Sequence, residues 1–311
     1  MKYALLFAPH PNARYAAELT KLSMAELSCI ASGTGIKAPF VYESVGGLPL
    51  YTIEEELSER QKSALRRASS LLALFSLAGD ALTPLMEGFE RDAFYDMPAI
   101  MKYKGKTNES FTRLLLNLAV FSAEGAPFEG KLTVLDPLCG KGTTLYCALS
   151  SGYDGLGIEL DAKEVAEAVT FVKTYLKNGR FKHEYEKRSA TINGKSGGEI
   201  HSLKTAQSAD SYKAGEVQTL KIARGDSGNA PHFFKKTPAD AIVADLPYGI
   251  QHKSDAGKKG SDALGMLHRL LPKWRECLKP GGSIALSFNS YTLKKADVLE
   301  ALQSAAYSPV E

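Results

Sequence analysis

No apolar run in this chain of 311 residues is long enough to cross a bilayer, which excludes a helical membrane protein. The opening Met1-Lys-Tyr-Ala-Leu-Leu-Phe-Ala8 is too short for a secretory signal and reads as a strand, so the expected location is the cytosol. Cysteine is scarce and scattered. Cys29, Cys139, Cys147 and Cys277 form no Cys-x-x-Cys pair, so neither a disulfide framework nor a zinc site is expected, and the four read as buried thiols. Net charge is small as well. The 38 Lys and Arg against 35 Asp and Glu leave +3, too little to point to nucleic acid by itself, so any electrostatic case has to rest on local patches. What remains is ordinary for a globular protein: 44% hydrophobic and 23% charged residues, in a length that suits about two domains.

Residues 1–95 read as a small α+β domain. Tyr3–Phe7 is an apolar strand, and Ala16, Leu19, Leu22, Met24, Leu27 and Ile30 recur at helical spacing over Tyr15–Ala31. Ser32-Gly-Thr-Gly35 ends that helix. Pro39–Val45 and Leu48–Ile53 are short strands joined by Gly46-Gly47, a hairpin signal. A second helix is expected over Ser58–Leu77, with Ser58 as its cap and Glu59 in its first turn. The order strand, helix, strand, strand, helix is that of part of a ferredoxin-like unit. A connection over residues 90–108 then carries Pro98 and the basic run Lys102-Tyr-Lys-Gly-Lys106, and Thr107 or Asn108 can cap a helix over Glu109–Phe121.

Residues 96–311 form the second expected domain. From Leu132 strands and helices alternate. Strands are expected at 132–136, Tyr153–Leu160, Val217–Arg224, Ala239–Asp245 and Ser283–Phe288, and helices at 142–151, Ala162–Lys177, Leu264–Leu278 and Lys294–Ala306. Continuous apolar strands between helices imply a doubly wound, mostly parallel sheet covered on both faces, an α/β fold of Rossmann-like type. Residues 178–215 break the rhythm as an insertion, with seven Lys or Arg against four Asp or Glu, either mobile or a hairpin around Asn193-Gly194. The alternation leads to one more strand after Ala306, where the chain stops at Pro309-Val-Glu311, as a truncated chain or a short sheet would.

The turn Asp136-Pro-Leu-Cys-Gly-Lys-Gly142 joins a strand to a helix. It is not a P-loop, which needs a glycine where Leu135 stands, nor a dinucleotide fingerprint, because no third glycine follows Gly142 at the required spacing. Gly140 and Gly142 let main chain turn sharply and approach a ligand at a helix N-terminus. Asp136 at the strand tip can accept from an ammonium group. Glu159 ends the next strand, where a carboxylate can take both ribose hydroxyls. Asp226, in Arg224-Gly-Asp226, ends the third and can accept from an adenine amino group. Three acids at successive strand tips suit a zwitterionic cofactor bearing a ribose and an adenine. The plain alternative is tight strand–helix packing with solvated strand ends.

Asp245-Leu-Pro-Tyr248 sits at the carboxyl end of another strand. An aromatic amine is a weak nucleophile because its lone pair is delocalised into the ring. Two acceptors on its N–H hydrogens, the Asp245 carboxylate and the Leu246 carbonyl, would align it and stabilise charge growing on nitrogen. Pro247 would stiffen the turn and Tyr248 would stack on a splayed-out base. Read alone, the tetrapeptide is a type I turn with Pro at its usual position and a half-buried Tyr. Its place after the glycine turn and Glu159 is what favours chemistry.

Asp-Pro-Leu-Cys-Gly-Lys-Gly-Thr-Thr, Gly-Ile-Glu-Leu-Asp and Asp-Leu-Pro-Tyr-Gly together resemble class I S-adenosylmethionine-dependent methyltransferases, and more narrowly the group related to the THUMP-containing tRNA guanine-N2 methyltransferases. The resemblance covers roughly residues 100–300. It implies S-adenosylmethionine as cofactor, with no metal. It places the methionine end on Asp136, Leu138, Gly140, Gly142 and Thr143, the ribose on Glu159 beside Leu160, and the adenine near Asp226. It implies that Asp245, Leu246, Pro247 and Tyr248 hold the amino group, and that the upstream Thr107, Asn108 and Glu109 close over the methionine end. The substrate implied is RNA, a tRNA guanine foremost, and the sequence before residue 100 has no room for a full THUMP domain besides the ferredoxin-like unit. Phosphate contact is open to Lys102, Lys104 and Lys106 around Tyr103, and to Gln251–Gly260. A DNA amino-methyltransferase would carry a target-recognition domain, which is not seen. A non-catalytic binding module would have no use for Asp245, Pro247 and Tyr248 together.

Overall fold

Two sheets organise the chain, each built on an apolar central strand. The computed structural model describes residues 1–9, 13–85, 93–103, 105–192, 194–246 and 263–310. They fall into two units, Met1–Arg91 with Thr107–Gly130, and Asp92–Lys106 with Lys131–Glu311.

The first unit runs β1 (Lys2–Phe7), α1 (Ala13–Thr34), β2 (Val41–Val45), β3 (Leu48–Glu54), α2 (Glu59–Arg66), β4 (Leu71–Ala78) and β5 (Ala81–Pro84). The antiparallel sheet order is β2-β3-β1-β4-β5. Tyr3 and Leu5 of β1 and Tyr51 and Ile53 of β3 are buried on one face, where Tyr51 Oη donates to the Thr20 carbonyl of α1 at 3.1 Å. The helix expected over Ser58–Leu77 is less than half that length. Ser58 caps it as anticipated, in a capping box with Gln61, but it ends at Arg66. Leu71–Ala78 is a strand instead, paired with β1 from Lys2↔Leu77 to Leu6↔Ala73. A run that is apolar but for Ser76 has no polar face to mark its period, and the open backbone edge of β1 decides the matter.

After α3 (Met97–Ile100), which is part of the second unit, α4 (Glu109–Ser122) returns to the first. The boundary expected near residue 95 placed this helix in the C-terminal domain. A buried polar cluster binds it to α1 instead: Asn117 Nδ2 donates to Glu26 Oε1 and to the Arg67 carbonyl, both at 2.7 Å. Ser69 adds its N–H at 2.9 Å and its hydroxyl at 2.8 Å to the same carboxyl. Burial pushes the Glu26 carboxyl up to about 7, against these donors. Asn117→Leu is expected to lower stability by roughly 1–3 kcal/mol, because it removes one hydrogen bond from the buried Glu26 carboxyl and one from the Arg67 carbonyl. An unchanged urea midpoint would show that the cluster does not hold the helix.

The second unit continues with β6 (Thr133–Asp136), α5 (Thr143–Leu149), β7 (Asp154–Glu159), α6 (Ala162–Asn178), β8 (His183–Ile192), β9 (Lys195–Thr205), α7 (Ala209–Ala214) and β10 (Gln218–Arg224). A 3₁₀ turn at Ser227–Asn229 leads to α8 (Ala230–Phe234), β11 (Ala239–Asp245), α9 (Ala263–Arg275), β12 (Leu278–Ser287) and α10 (Lys295–Ser304). The sheet order is β12-β11-β6-β7-β10-β9-β8, parallel through its first five strands and antiparallel in the last two. The fold is therefore mixed α/β with one mostly parallel sheet. Leu220 and Ile222 of β10 enter a core with Leu145, Val169, Val172 and Leu176, while the next residue, Ala223, enters another with Leu267, Leu270, Leu271 and Trp274. Alternate residues facing separate helical layers account for the nearly continuous apolar strands. The insertion at 178–215 takes the hairpin form: β9 pairs with β10 from Gln218↔Thr205 to Arg224↔Glu199, and β8 closes the edge.

Candidate active site at the carboxyl edge of the parallel sheet

From β6 the chain builds outward through β7 and β10, and then returns to build the other way through β11 and β12. The reversal falls between β6 and β11, where such sheets open a crevice beyond their carboxyl ends. The strands end there in Asp136, Glu159, Arg224, Asp245 and Ser287. Pairing fixes their level: Asp136 lies opposite Gly157, Arg224 opposite Glu159 and Asp245 opposite Ser287.

The glycine turn is held from both sides. Leu138 N–H donates to Asp136 Oδ1 at 3.0 Å, Cys139 N–H to the Ile158 carbonyl at 3.0 Å, and Gly140 N–H to Glu159 Oε2 at 3.0 Å. The other Glu159 oxygen, Oε1, accepts from Asp161 N–H at 2.8 Å, so this carboxylate spans two backbone segments. Gly140 and Gly142 have φ of +48° and +92°, the left-handed region that glycine enters without penalty. Among the described residues a Cβ at Gly140 would meet only Glu164 Oε2 at 4.0 Å, so they leave the outer side of the turn open, whereas one at Gly142 would lie 3.0 Å from the Tyr146 ring.

Asp136 is 4% exposed. Burial pushes its carboxyl up to about 7, with smaller upward contributions from Asp245 and Glu159, against bonds from the Thr144 hydroxyl and the Leu138 N–H. Among the described residues, the groups that shift this buried acid are hydrogen-bond donors and other carboxylates, not a cation. Thr143 Oγ1 and Tyr103 Oη lie 3.1 Å apart in a hydrogen bond, and the Lys141 ammonium stands 4.8 Å from the Tyr103 ring centroid while pairing with Glu167 at 2.5 Å. Leu160, just past Glu159, is 61% exposed.

At the β11 tip the Ser287 hydroxyl donates to Asp245 Oδ1, and Leu246 N–H donates to the Ser287 carbonyl at 2.9 Å. Pro247 and Tyr248 lie outside the described residues, as do Lys104 and the basic stretch Gln251–Gly260. Asp226 follows β10 and caps the 3₁₀ turn through Gly228 N–H at 2.6 Å, and its Oδ1 also meets Arg269 Nη1 at 3.1 Å. The structure therefore brings Asp136, Leu138, Gly140, Gly142, Thr143, Glu159, Leu160, Asp226, Asp245 and Leu246 to one edge of one sheet. Thr107, Asn108 and Glu109 belong to the first unit, where Asn108 Oδ1 caps α4 through Ser110 N–H at 2.8 Å. Lys106 Nζ donates to the Pro98 carbonyl at 2.6 Å. Sequence reasoning missed Ser287, whose place at the end of an expected strand was its one signal, and Arg269, which had none.

Among the described residues no helix is long and apolar enough to cross a membrane, and no group of three or more His, Cys, Asp or Glu is placed to hold a metal ion. No protein-family model and no curated protein matches the chain. Among solved structures it is similar to the rRNA methyltransferase AviRa from Streptomyces viridochromogenes, at 15% identity and a TM-score of 0.38 over 64% of this chain and 82% of that one. It is also similar to TrmN from Thermus thermophilus, at 15% identity and a TM-score of 0.41 over 97% of this chain and 92% of that one.

Proposed function

We propose that the chain is an S-adenosylmethionine-dependent methyltransferase acting on an exocyclic amino group of a nucleobase in RNA, foremost guanine N2 in tRNA, and working in the cytoplasm. One observation carries the reading. Asp136 and Asp245 flank the strand-order reversal on neighbouring strands, with Glu159 on the next tip. In this reading the parallel sheet is the Rossmann-like core of a class I methyltransferase. The first unit, with its order β-α-β-β-α-β, is ferredoxin-like and helps to position RNA.

The residues fit the cofactor. The buried Asp136 carboxyl suits an α-ammonium, the open turn at Gly140 suits a carboxylate-bearing chain, Glu159 suits two ribose hydroxyls, and Asp226 suits an adenine amine. Bound S-adenosylmethionine would supply an electrophilic methyl carbon. The chain's own part is orientation and charge. Asp245 and the Leu246 carbonyl would accept the two amine hydrogens, which aligns the nitrogen and stabilises its growing positive charge. Ser287 would keep the Asp245 carboxylate aimed through its hydroxyl. Pro247 would stiffen the turn and Tyr248 would stack on the flipped base. Asp245 is also the group placed to take the released proton.

Incubation with labelled S-adenosylmethionine and separate pools of tRNA, rRNA and DNA, followed by nucleoside mass spectrometry, tests this directly. N2-methylguanosine in tRNA is the expected product. Label confined to DNA would replace the RNA reading with that of a DNA amino-methyltransferase, and no label in any pool would end the enzyme reading. Glu159→Ala is expected to weaken S-adenosylhomocysteine binding by about 1–3 kcal/mol, roughly 5- to 150-fold, through lost charge-assisted hydrogen bonds. Calorimetry giving the wild-type constant would remove Glu159 from the site.

A further inference from the structure

The 3₁₀ turn, α8 and α9 expose a basic surface that begins beside Asp226. Residues 226–236 and 263–276 hold five Lys or Arg against two acids, a net of +3 that equals the formal charge of the entire chain. His232, Lys235, Lys236, Arg269, Lys273 and Arg275 are all exposed. The surface is set by packing beneath it. Leu267, Leu270, Leu271 and Trp274 form the buried stripe of α9, and Trp274 Nε1 donates to Ser227 Oγ at 2.8 Å, which fixes α9 against the 3₁₀ turn. The polar side of α9 therefore faces solvent next to α8.

Between α8 and α9 lies a depression of about 300 Å³, with Asn229, Pro231 and His232 on its wall. Lys235 from one side and Lys273 from the other converge on Glu276, at 3.3 and 2.9 Å. Among the described residues, two ammonium groups share this one carboxylate, which leaves a net positive charge there. A phosphate is the anion of matching charge, and the span from Arg269 to Glu276 is about 10 Å at the helical rise per residue, enough for more than one phosphate of a nucleic-acid strand. Arg269, paired with Asp226 at 3.1 Å, joins this surface to the strand tips.

Resting on the methyltransferase reading above, we propose that this face of α8 and α9 is a docking surface for the ribose–phosphate backbone of the RNA whose base enters the site. Phosphate contacts of this kind fix register and make affinity salt-dependent.

The test uses the full chain, fluorescein-labelled bulk tRNA and a titration of KCl. The triple variant Lys235→Gln, Lys236→Gln, Lys273→Gln is expected to bind tRNA at least about tenfold more weakly and to lower the slope of log Kd against log salt by about 2. Lys235→Arg, Lys236→Arg, Lys273→Arg is expected to keep wild-type binding, and both variants should bind S-adenosylhomocysteine as the wild type does. Wild-type affinity and slope in the glutamine variant would overturn the docking surface, and so would a wild-type protein that binds no tRNA. Patch-dependent binding in a wild-type protein that transfers no methyl group would instead keep the surface and end the methyltransferase reading.

Discussion

Asp245→Ala is expected to lower kcat for methyl transfer by about 10²–10³, the loss typical when one charge-stabilising group is removed from a reacting centre, with S-adenosylhomocysteine affinity unchanged within about twofold. The proposed role explains both halves. An exocyclic amine conjugated to a purine gains nucleophilicity only as its lone pair leaves the ring, and positive charge then grows on nitrogen. A carboxylate on one N–H meets that charge as it forms and contributes little to the ground state, so the loss belongs in kcat. Asp245 is well built for this, because the Ser287 hydroxyl donates to one of its oxygens and Leu246 N–H donates to the Ser287 carbonyl, tying the start of the turn to β12. Ser287→Ala should therefore lower kcat in the same direction and by less. Asp245 also raises the neighbouring Asp136 carboxyl through its charge. Its removal eases ionisation of Asp136 and, if anything, favours a cationic ligand. Wild-type kcat in Asp245→Ala would take this turn out of the chemistry.

Much of this site was legible because of where its residues fall in buried parallel strands. β11 runs over Ala239–Asp245 as expected, and β6, β7 and β10 end at or next to the anticipated residues. A strand covered on both faces must be apolar throughout, so the first acid after such a run marks its tip. Elements defined by partners rather than by their own pattern stayed hidden. Leu71–Ala78 shows no period of its own and became a strand because β1 needed a partner. The helix at Glu109–Ser122 is expected over Glu109–Phe121, yet its membership of the first unit depends on Glu26, 91 residues from Asn117 in sequence. Ser287 and Arg269 are ordinary residues until topology sets them against Asp245 and Asp226. Pairwise geometry of that kind leaves no local trace.

Asp136→Asn is expected to separate what the site costs from what it does. Burial holds the Asp136 carboxyl at about 7 in the folded chain, above its ordinary value of about 3.8. The folded state therefore binds more protons than the unfolded one between these values, and stability is greatest below about 4 and is lost as pH rises through 7. At 1.36 kcal/mol per pKa unit the penalty at pH 8 is on the order of 4 kcal/mol at most. The asparagine keeps the acceptor for Leu138 N–H and removes the charge, so the ligand-free variant should be more stable than wild type at pH 8, by about 2 kcal/mol or more, with that advantage about 2 kcal/mol smaller at pH 5.5. Glu26, also held near 7 by burial, should leave a residual slope of the same sign in both proteins. Binding is expected to move the other way. A ligand bearing an α-ammonium needs the ionised acid, so wild-type affinity for S-adenosylhomocysteine should fall nearly tenfold per pH unit below 7, with about one proton released per ligand bound. In Asp136→Asn the affinity should be weak and flat with pH. Urea unfolding and calorimetry at pH 5.5 and 8 measure both. A variant no more stable than wild type at pH 8, with pH-dependent binding intact, would mean that Asp136 is neither a strained acid nor the ammonium partner.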